Sequence, residues 1–114
     1  SGGYPNGPVK PGGISDRLLS NYANMYGDLS ANSGRNALSR DPDFASDFVL
    51  RLSKKLIWGS DCPCYDGQGC AYPKGYCIAQ RSLARLKEYV ADPRILRGIT
   101  YDNGARLLKL GIPL

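Results

Sequence analysis

The apolar residues of this chain follow two patterns, one typical of helices and one typical of strands, and segments of the two kinds alternate along the sequence. Apolar residues at spacing four, such as Phe44 and Phe48, form one face of a helix predicted over 42–53. Two short apolar runs, 25–29 and 55–58, are instead typical of strands. They lie about thirty residues apart with one predicted helix between them, which is the length of a βαβ unit. Such a unit makes the strands parallel and the crossover right-handed.

Capping residues indicate where the helices begin. Asp41 precedes Pro42, and an acceptor side chain followed by proline at the first helical position is typical of a helix start. Asp92 and Pro93 repeat this pattern for a helix that ends near Ile99. Further helices are predicted over 15–22, 78–90 and 102–110, and loops over 1–13, 30–40 and 62–77, which are rich in turn-forming residues.

The predicted sheet is incomplete. Two strands leave their edges unpaired, and the helices have too little sheet to cover. The pattern therefore predicts an α/β fold that needs more strands than the chain contains. We expect residues 1–13 to be a connector and residues 1–114 to be the C-terminal segment of one larger domain.

The composition is that of a globular protein, with 114 residues, 42% hydrophobic and 22% charged. The net charge is +5, but the arginines are spread along the chain beside acids or apolar runs, so a nucleic-acid surface is not expected. No apolar run approaches the roughly 20 residues that span a bilayer, and no signal peptide is visible. A cytoplasmic protein is therefore expected.

The four cysteines all lie in the loop predicted over 62–77, as Cys62, Cys64, Cys70 and Cys77. A disulfide-built domain usually spreads its cysteines over the chain that it staples, so this clustering indicates one loop with its own chemistry. The spacing fits the paired cysteines of structural zinc sites poorly. The sequence leaves three interpretations of these cysteines: free thiols, one or two disulfides, or a four-cysteine zinc site. A cysteine nucleophile is not expected, because the chain has no histidine to activate it.

The second apolar run leads directly into an acid, Asp61. In a parallel α/β barrel, the residues at the C-terminal ends of the strands form the active site. A carboxylate at that position can bind a metal ion or accept a proton from water. The alternative is a turn-capping aspartate beside Pro63.

Three segments of the chain resemble one family. Residues 55–63 (KLIWGSDCP) are similar to the last barrel strand of the amidohydrolase superfamily, in the amidohydrolase-related group that also holds the aminocarboxymuconate-semialdehyde-decarboxylase-like enzymes. That group commonly shows L-[LIF]-[FW]-G-[ST]-D-x-P there. Residues 25–30 (MYGDLS) resemble its penultimate strand, and residues 99–110 (ITYDNGARLLKL) resemble its closing helix. The resemblance extends from residue 14 to residue 112.

The resemblance implies a (β/α)8 barrel of the TIM type, of which this chain supplies the last two strands and their helices. It implies a metal-dependent enzyme that hydrolyses C–N or C–O bonds, or a non-oxidative decarboxylase. The metal, expected to be zinc, would be held by histidines on earlier strands and by Asp61, which would act as metal ligand or proton acceptor. Because the chain has no histidine, this segment alone is expected to be inactive and to need the N-terminal part of the barrel.

Two more polar residues are candidates for substrate binding. Asp28 is a second acid at a strand end, although such residues more often make structural hydrogen bonds. Arg40 could bind a substrate carboxylate through two hydrogen bonds, and a surface ion pair is the alternative. The expected partners are a small-molecule substrate and the rest of the barrel. A homo-oligomer is compatible with this prediction, and neither nucleic acid nor a membrane is an expected partner. The competing interpretation is a small non-catalytic module whose cysteine-rich loop binds zinc or a partner.

Overall fold

The structure, a computed structural model, describes residues 4–62 and 77–110. Two short parallel strands are joined and followed by helices, and α5 and α6 are linked by a π-helical turn, Gly98–Asp102. The elements in chain order are α1 (Ile14–Asn21), β1 (Gly27–Asp28), α2 (Ala31–Ser39), α3 (Pro42–Arg51), β2 (Leu56–Ile57), α4 (Ile78–Tyr89), α5 (Pro93–Arg97) and α6 (Asn103–Leu107).

The two strands confirm the predicted α/β class and the predicted parallel pair. Gly27 lies opposite Leu56, and Asp28 lies opposite Ile57. Each strand has only two residues, fewer than the apolar run that predicted it. Because the strands are parallel, their C-terminal ends lie at the same edge of the sheet.

The two long edges of this sheet differ. On the β2 side, Trp58 N donates to Ile99 O at 2.9 Å, and Asn103 Nδ2 donates to Leu56 O at 2.8 Å. On the β1 side, the parallel ladder turns the backbone N–H and C=O of Asp28 away from β2. No residue in 4–62 or 77–110 forms a hydrogen bond with those two groups. The described sheet can therefore be extended on its β1 side.

Helix α2 occupies a segment that the sequence predicts to be a loop. The prediction for 30–40 is wrong, because Ala31–Ser39 is helical. Its polar composition favours turns, but Gly34 and Leu38 are buried, and Tyr89 of α4 donates to Leu38 O at 2.6 Å. Tertiary packing thus stabilises a helix of low intrinsic propensity. The crossover between the strands contains two helices rather than one.

The predicted helix starts are confirmed at two caps. Asp41 Oδ1 accepts a hydrogen bond from Phe44 N at 3.2 Å at the start of α3, and Asp92 Oδ1 accepts one from Arg94 N at 2.9 Å at the start of α5. Among residues 4–62 and 77–110, none of the helices combines the length and the apolar character needed to cross a membrane.

The C-terminal helices differ from the prediction in their bounds. The helix expected to end near Ile99 ends at Arg97, and the π-helical turn follows it. The last helix, expected over 102–110, ends at Leu107. The turn matters for the sheet because it brings the Ile99 carbonyl to the outer side of β2.

The hydrophobic core lies between the sheet and the helices. Trp58 packs against this core, and its indole Nε1 donates to Ser82 Oγ of α4 at 3.0 Å. Lys55 Nζ donates to the Leu19 and Tyr22 carbonyls and so holds the end of α1 beside β2. The buried residues of the core are Leu19, Leu29, Leu38, Val49, Leu52, Leu56, Leu86, Val90 and Ile99.

Candidate functional site

The C-terminal edge of the sheet carries two acids that face one depression. Asp28 ends β1, and Asp61 follows β2 by four residues. Both line an open depression of about 570 Å³. The rest of its lining is Ser30, Ile57, Trp58, Gly59 and Ser60. Two acids that are far apart in the sequence are therefore neighbours at this edge, as the strand pattern predicts.

The loops that carry these acids are tied to each other. Ala31 N, after β1, donates to Ser60 O, after β2, at 2.9 Å. One carboxylate oxygen of Asp28 accepts a hydrogen bond from Ser30 N at 2.9 Å, which closes the turn after β1. The structural role expected for Asp28 is thus present, and its second oxygen has no partner among the described residues. Cys62 N donates to Ser60 Oγ at 3.3 Å and holds the turn after Asp61.

Asp61 has an unusual backbone conformation and an exposed side chain. Its φ is 48°, in the left-handed region, where aspartate is several-fold enriched over most other residues. The residue is exposed, and its carboxylate forms no hydrogen bond or ion pair within residues 4–62 and 77–110. No cap by the Asp61 side chain is therefore found in that part of the chain. As an exposed lining residue of the depression, Asp61 is accessible to a substrate or to water.

The described residues do not by themselves fit a bound metal ion. Within 4–62 and 77–110, no group of three or more histidine, cysteine, aspartate or glutamate side chains could hold one. A catalytic zinc takes about three protein ligands besides its water. Asp28 and Asp61 can contribute oxygens to such a set, but the third donor is missing from the described part.

Arg40 does not line the depression beside Asp61. It lies at the end of α2, where its Nε donates to Gly7 O and its Nη2 donates to Pro8 O, both at 3.2 Å. Among the described residues it forms no ion pair. Its observed contacts therefore hold the segment before α1 against α2.

Two of the four cysteines, Cys62 and Cys77, flank the segment 63–76, which the structure does not describe. Cys62 is half-buried directly after Asp61. Cys77 is buried, and its Sγ accepts a hydrogen bond from Gln80 N at 3.4 Å, so it caps α4. The predictions for Cys64 and Cys70 lie outside the described residues, as does most of the loop predicted over 62–77.

The sequence analysis did not single out the serine hydroxyls of this site. Ser30 and Ser60 line the depression between the two acids. The signal was available, because each serine lies within two residues of an acid that follows a strand. A hydroxyl in this position can donate to a substrate oxygen while the neighbouring acids accept.

Comparison with known proteins adds no relative: no family model matches the chain, and no curated protein and no solved structure is detectably similar to it. The family resemblance carried by residues 25–30, 55–63 and 99–110 therefore stays a prediction.

Proposed function

We propose that this chain is the acid-bearing C-terminal segment of a (β/α)8-barrel hydrolase of the amidohydrolase-related group. The observation that carries the proposal is the placement of Asp28 and Asp61 at the same end of two adjacent parallel strands, facing one depression. Parallel α/β folds bind their substrates at this end of the strands. The substrate class is a compound with a C–N or C–O bond to hydrolyse, or a carboxylate to release as CO2.

The asymmetric sheet supports the larger barrel. The Asp28 backbone groups on the β1 edge have no partner within residues 4–62 and 77–110, so a preceding parallel strand could pair there. On the other side, a first barrel strand would have to replace both the Trp58–Ile99 and the Asn103–Leu56 hydrogen bonds. A typical protein hydrogen bond contributes about 1 kcal/mol net, and the new ladder would offset the loss of both.

Asp61 is the proposed proton acceptor. Its carboxylate is exposed at the depression and is not held by any described side chain, so it can reach a water molecule that attacks a substrate carbonyl. Asp28 and the serine hydroxyls would orient that substrate. In the family that the chain resembles, a bound metal ion would make the attacking water more acidic. Asp28 and Asp61 could contribute oxygen ligands to it, and the remaining ligands would have to come from other strands.

The sequence encoded immediately before Ser1 tests the proposal first. It should contain an H-x-H pair on a predicted strand and two further strand-end histidines, within about 200 residues, since such barrels have about 250. A stop codon or an unrelated domain directly before Ser1 would contradict the proposal. The longer chain should then hydrolyse or decarboxylate a member of a panel of aryl esters, lactones, aryl amides and aromatic carboxylates. Complete inactivity of a folded, zinc-supplied protein across that panel would also count against it.

A further inference from the structure

The structure contains a second cavity besides the acidic depression. Its volume is about 390 Å³, within the range of about 300–1,000 Å³ that is usual for small-molecule sites. It is lined by the segment before α1, by the start of α1 and by α2 and α3, and it shares no lining residue with the depression beside Asp61. The family resemblance and the proposed hydrolase activity leave this cavity unexplained.

The floor of the cavity is apolar and partly aromatic. Leu29 and Leu38 are buried core residues that also line it. Phe44 and Phe48 of α3 stack with their ring centroids 5.8 Å apart and their planes 25° from parallel. Such a floor favours the apolar body of a ligand, above all a flat ring that can pack against the two phenylalanines.

The roof of the cavity is a polar clamp. Asn36 Nδ2 donates to Pro5 O at 2.8 Å, and Arg40 holds the two carbonyls that follow, those of Gly7 and Pro8. Val9 N donates to Asp41 Oδ2 at 2.8 Å. Four hydrogen bonds thus fix residues 5–9 over the gap between α2 and α3, which makes the cavity a built feature of the fold.

Arg40 supplies a cationic donor at this cavity. Its Nε and Nη2 are bonded to the clamp, whereas its Nη1 has no partner among the described residues. The nearby acids are already bonded to other donors. Asp16 accepts from Arg51, and both oxygens of Asp41 accept backbone N–H groups. An anionic group on a ligand would therefore be the natural acceptor for Arg40.

From this arrangement we propose that the cavity under residues 5–9 binds a small monocarboxylate with an apolar, ring-containing body. The carboxylate pairs with the Arg40 guanidinium, and the ring packs on Phe44 and Phe48. The site is separate from the one proposed for hydrolysis, so either proposal can fail without the other.

A matched pair of probes tests both halves of the proposal. 4-Phenylbutyrate has the carboxylate and the ring, and 4-phenyl-1-butanol has the same apolar body without the charge. Titrated into the 114-residue chain, 4-phenylbutyrate should bind with a Kd below about 1 mM and at least about tenfold more tightly than the alcohol. NMR shifts of the Phe44 and Phe48 ring protons locate the bound ring.

Variants distinguish the contribution of the Arg40 charge from that of the hydrogen bonds that hold residues 5–9 over the cavity. Arg40→Gln removes both the charge and the two roof hydrogen bonds to Gly7 O and Pro8 O, so it should weaken both probes, and 4-phenylbutyrate about tenfold more than the alcohol. Asn36→Ala loosens the roof without touching the charge and should weaken both probes alike. Ala37→Leu, at an exposed helix position that lines the cavity, should abolish binding of both probes by filling the space. Arg17→Gln removes an equal charge elsewhere and should change neither affinity.

Several results would overturn the proposal. These are no binding of 4-phenylbutyrate to the folded wild-type chain, equal affinity for acid and alcohol, and ring shifts confined to residues outside the cavity. Equal weakening of both probes by Arg40→Gln would show that arginine acts only through the roof. Should Arg40→Gln fail to fold, Arg40→Lys, which keeps the charge, should still bind 4-phenylbutyrate more tightly than the alcohol, and equal affinities would overturn the proposal. Ala37→Leu still tests the location. Full binding by Ala37→Leu refutes the site.

Discussion

Gly34 of α2 lies in direct contact with the backbone of Leu29. A Cβ atom added to Gly34 would lie 1.9 Å from the Leu29 carbonyl oxygen and 2.2 Å from its carbonyl carbon. Both partners are backbone atoms, so no side-chain rotation can make room. The glycine is therefore what allows α2 to turn back over the end of β1, and the contact fixes the helix beside the two acids.

Substituting Gly34 by alanine should destabilise the protein by about 3 kcal/mol, at the upper end of the usual cost of overpacking. Urea unfolding followed by circular dichroism measures the change. Gly98→Ala is the matched control, because its Cβ would meet nothing closer than Asn103 Oδ1 at 3.8 Å. Alanine there should be neutral or should stabilise by up to about 1 kcal/mol through helix propensity. Near-equal effects of the two substitutions would contradict this packing.

The same glycine explains why α2 could not be predicted from the sequence. Serine, asparagine and glycine are typical of turns, and nothing in the local pattern shows that Gly34 must approach another segment closely. Helix α3 was predictable because its cap and its apolar spacing are local signals. The parallel pair was predictable because a strand, a helix and a second strand within about thirty residues are typical of a βαβ unit. The hydrogen bond from Trp58 N to Ile99 O joins residues 41 positions apart and leaves no local signal.

Asn103 should be essential for the β2 edge. It is 3% exposed, and its Nδ2 donates to Ser53 O at 2.7 Å and to Leu56 O at 2.8 Å. Asn103→Asp replaces this donor by an acceptor of the same shape, so we expect a loss of about 3 kcal/mol at pH 7. Part of the loss should be recovered at a pH low enough to protonate the new acid. Asn24→Asp, at an exposed turn position, should change stability by less than about 0.5 kcal/mol.

Asp16 should contribute to the loss of folding stability at acidic pH. Its two oxygens accept hydrogen bonds from Arg51 at 2.8 and 3.1 Å, and these bonds are the main reason that the pKa of Asp16 is lowered. A carboxyl with a lowered folded pKa stabilises the protein above its unfolded pKa of about 3.9, and this contribution is lost as the pH falls through the folded pKa.

We therefore expect Asp16→Asn to cost about 1 kcal/mol at pH 7, a value that already allows for solvent screening of the half-exposed Arg51. The difference from the wild type should shrink steadily below about pH 4. Asp47→Asn is the control on the same arginine; that side chain is 70% exposed, and its loss should cost less than about 0.5 kcal/mol. A pH-independent difference between Asp16→Asn and the wild type would contradict the linkage.

The candidate site was predictable in its position but not in its details. Apolar runs that lead into Asp28 and Asp61 predicted acids at one sheet edge, because parallel strands end together. Arg40 was a candidate for the same site, yet it lies against Gly7 and Pro8 instead. Its hydrogen-bond partners are some thirty residues away in the sequence, so only the folded chain reveals them.

The last prediction concerns Asp61, whose backbone conformation is compatible with a substitution that removes only the charge. Asparagine tolerates positive φ as aspartate does, so Asp61→Asn should remove the charge while leaving stability within about 0.5 kcal/mol. In the longer, barrel-containing chain that we propose, loss of the proposed proton acceptor should lower turnover by about 10² or more. Asp28→Asn should have a smaller effect, because its amide oxygen can still accept the Ser30 N–H. Asp43→Asn, on the exposed surface of α3, should leave turnover unchanged. Steady-state kinetics on the three variants measures this, and wild-type turnover in folded Asp61→Asn would remove Asp61 from the mechanism.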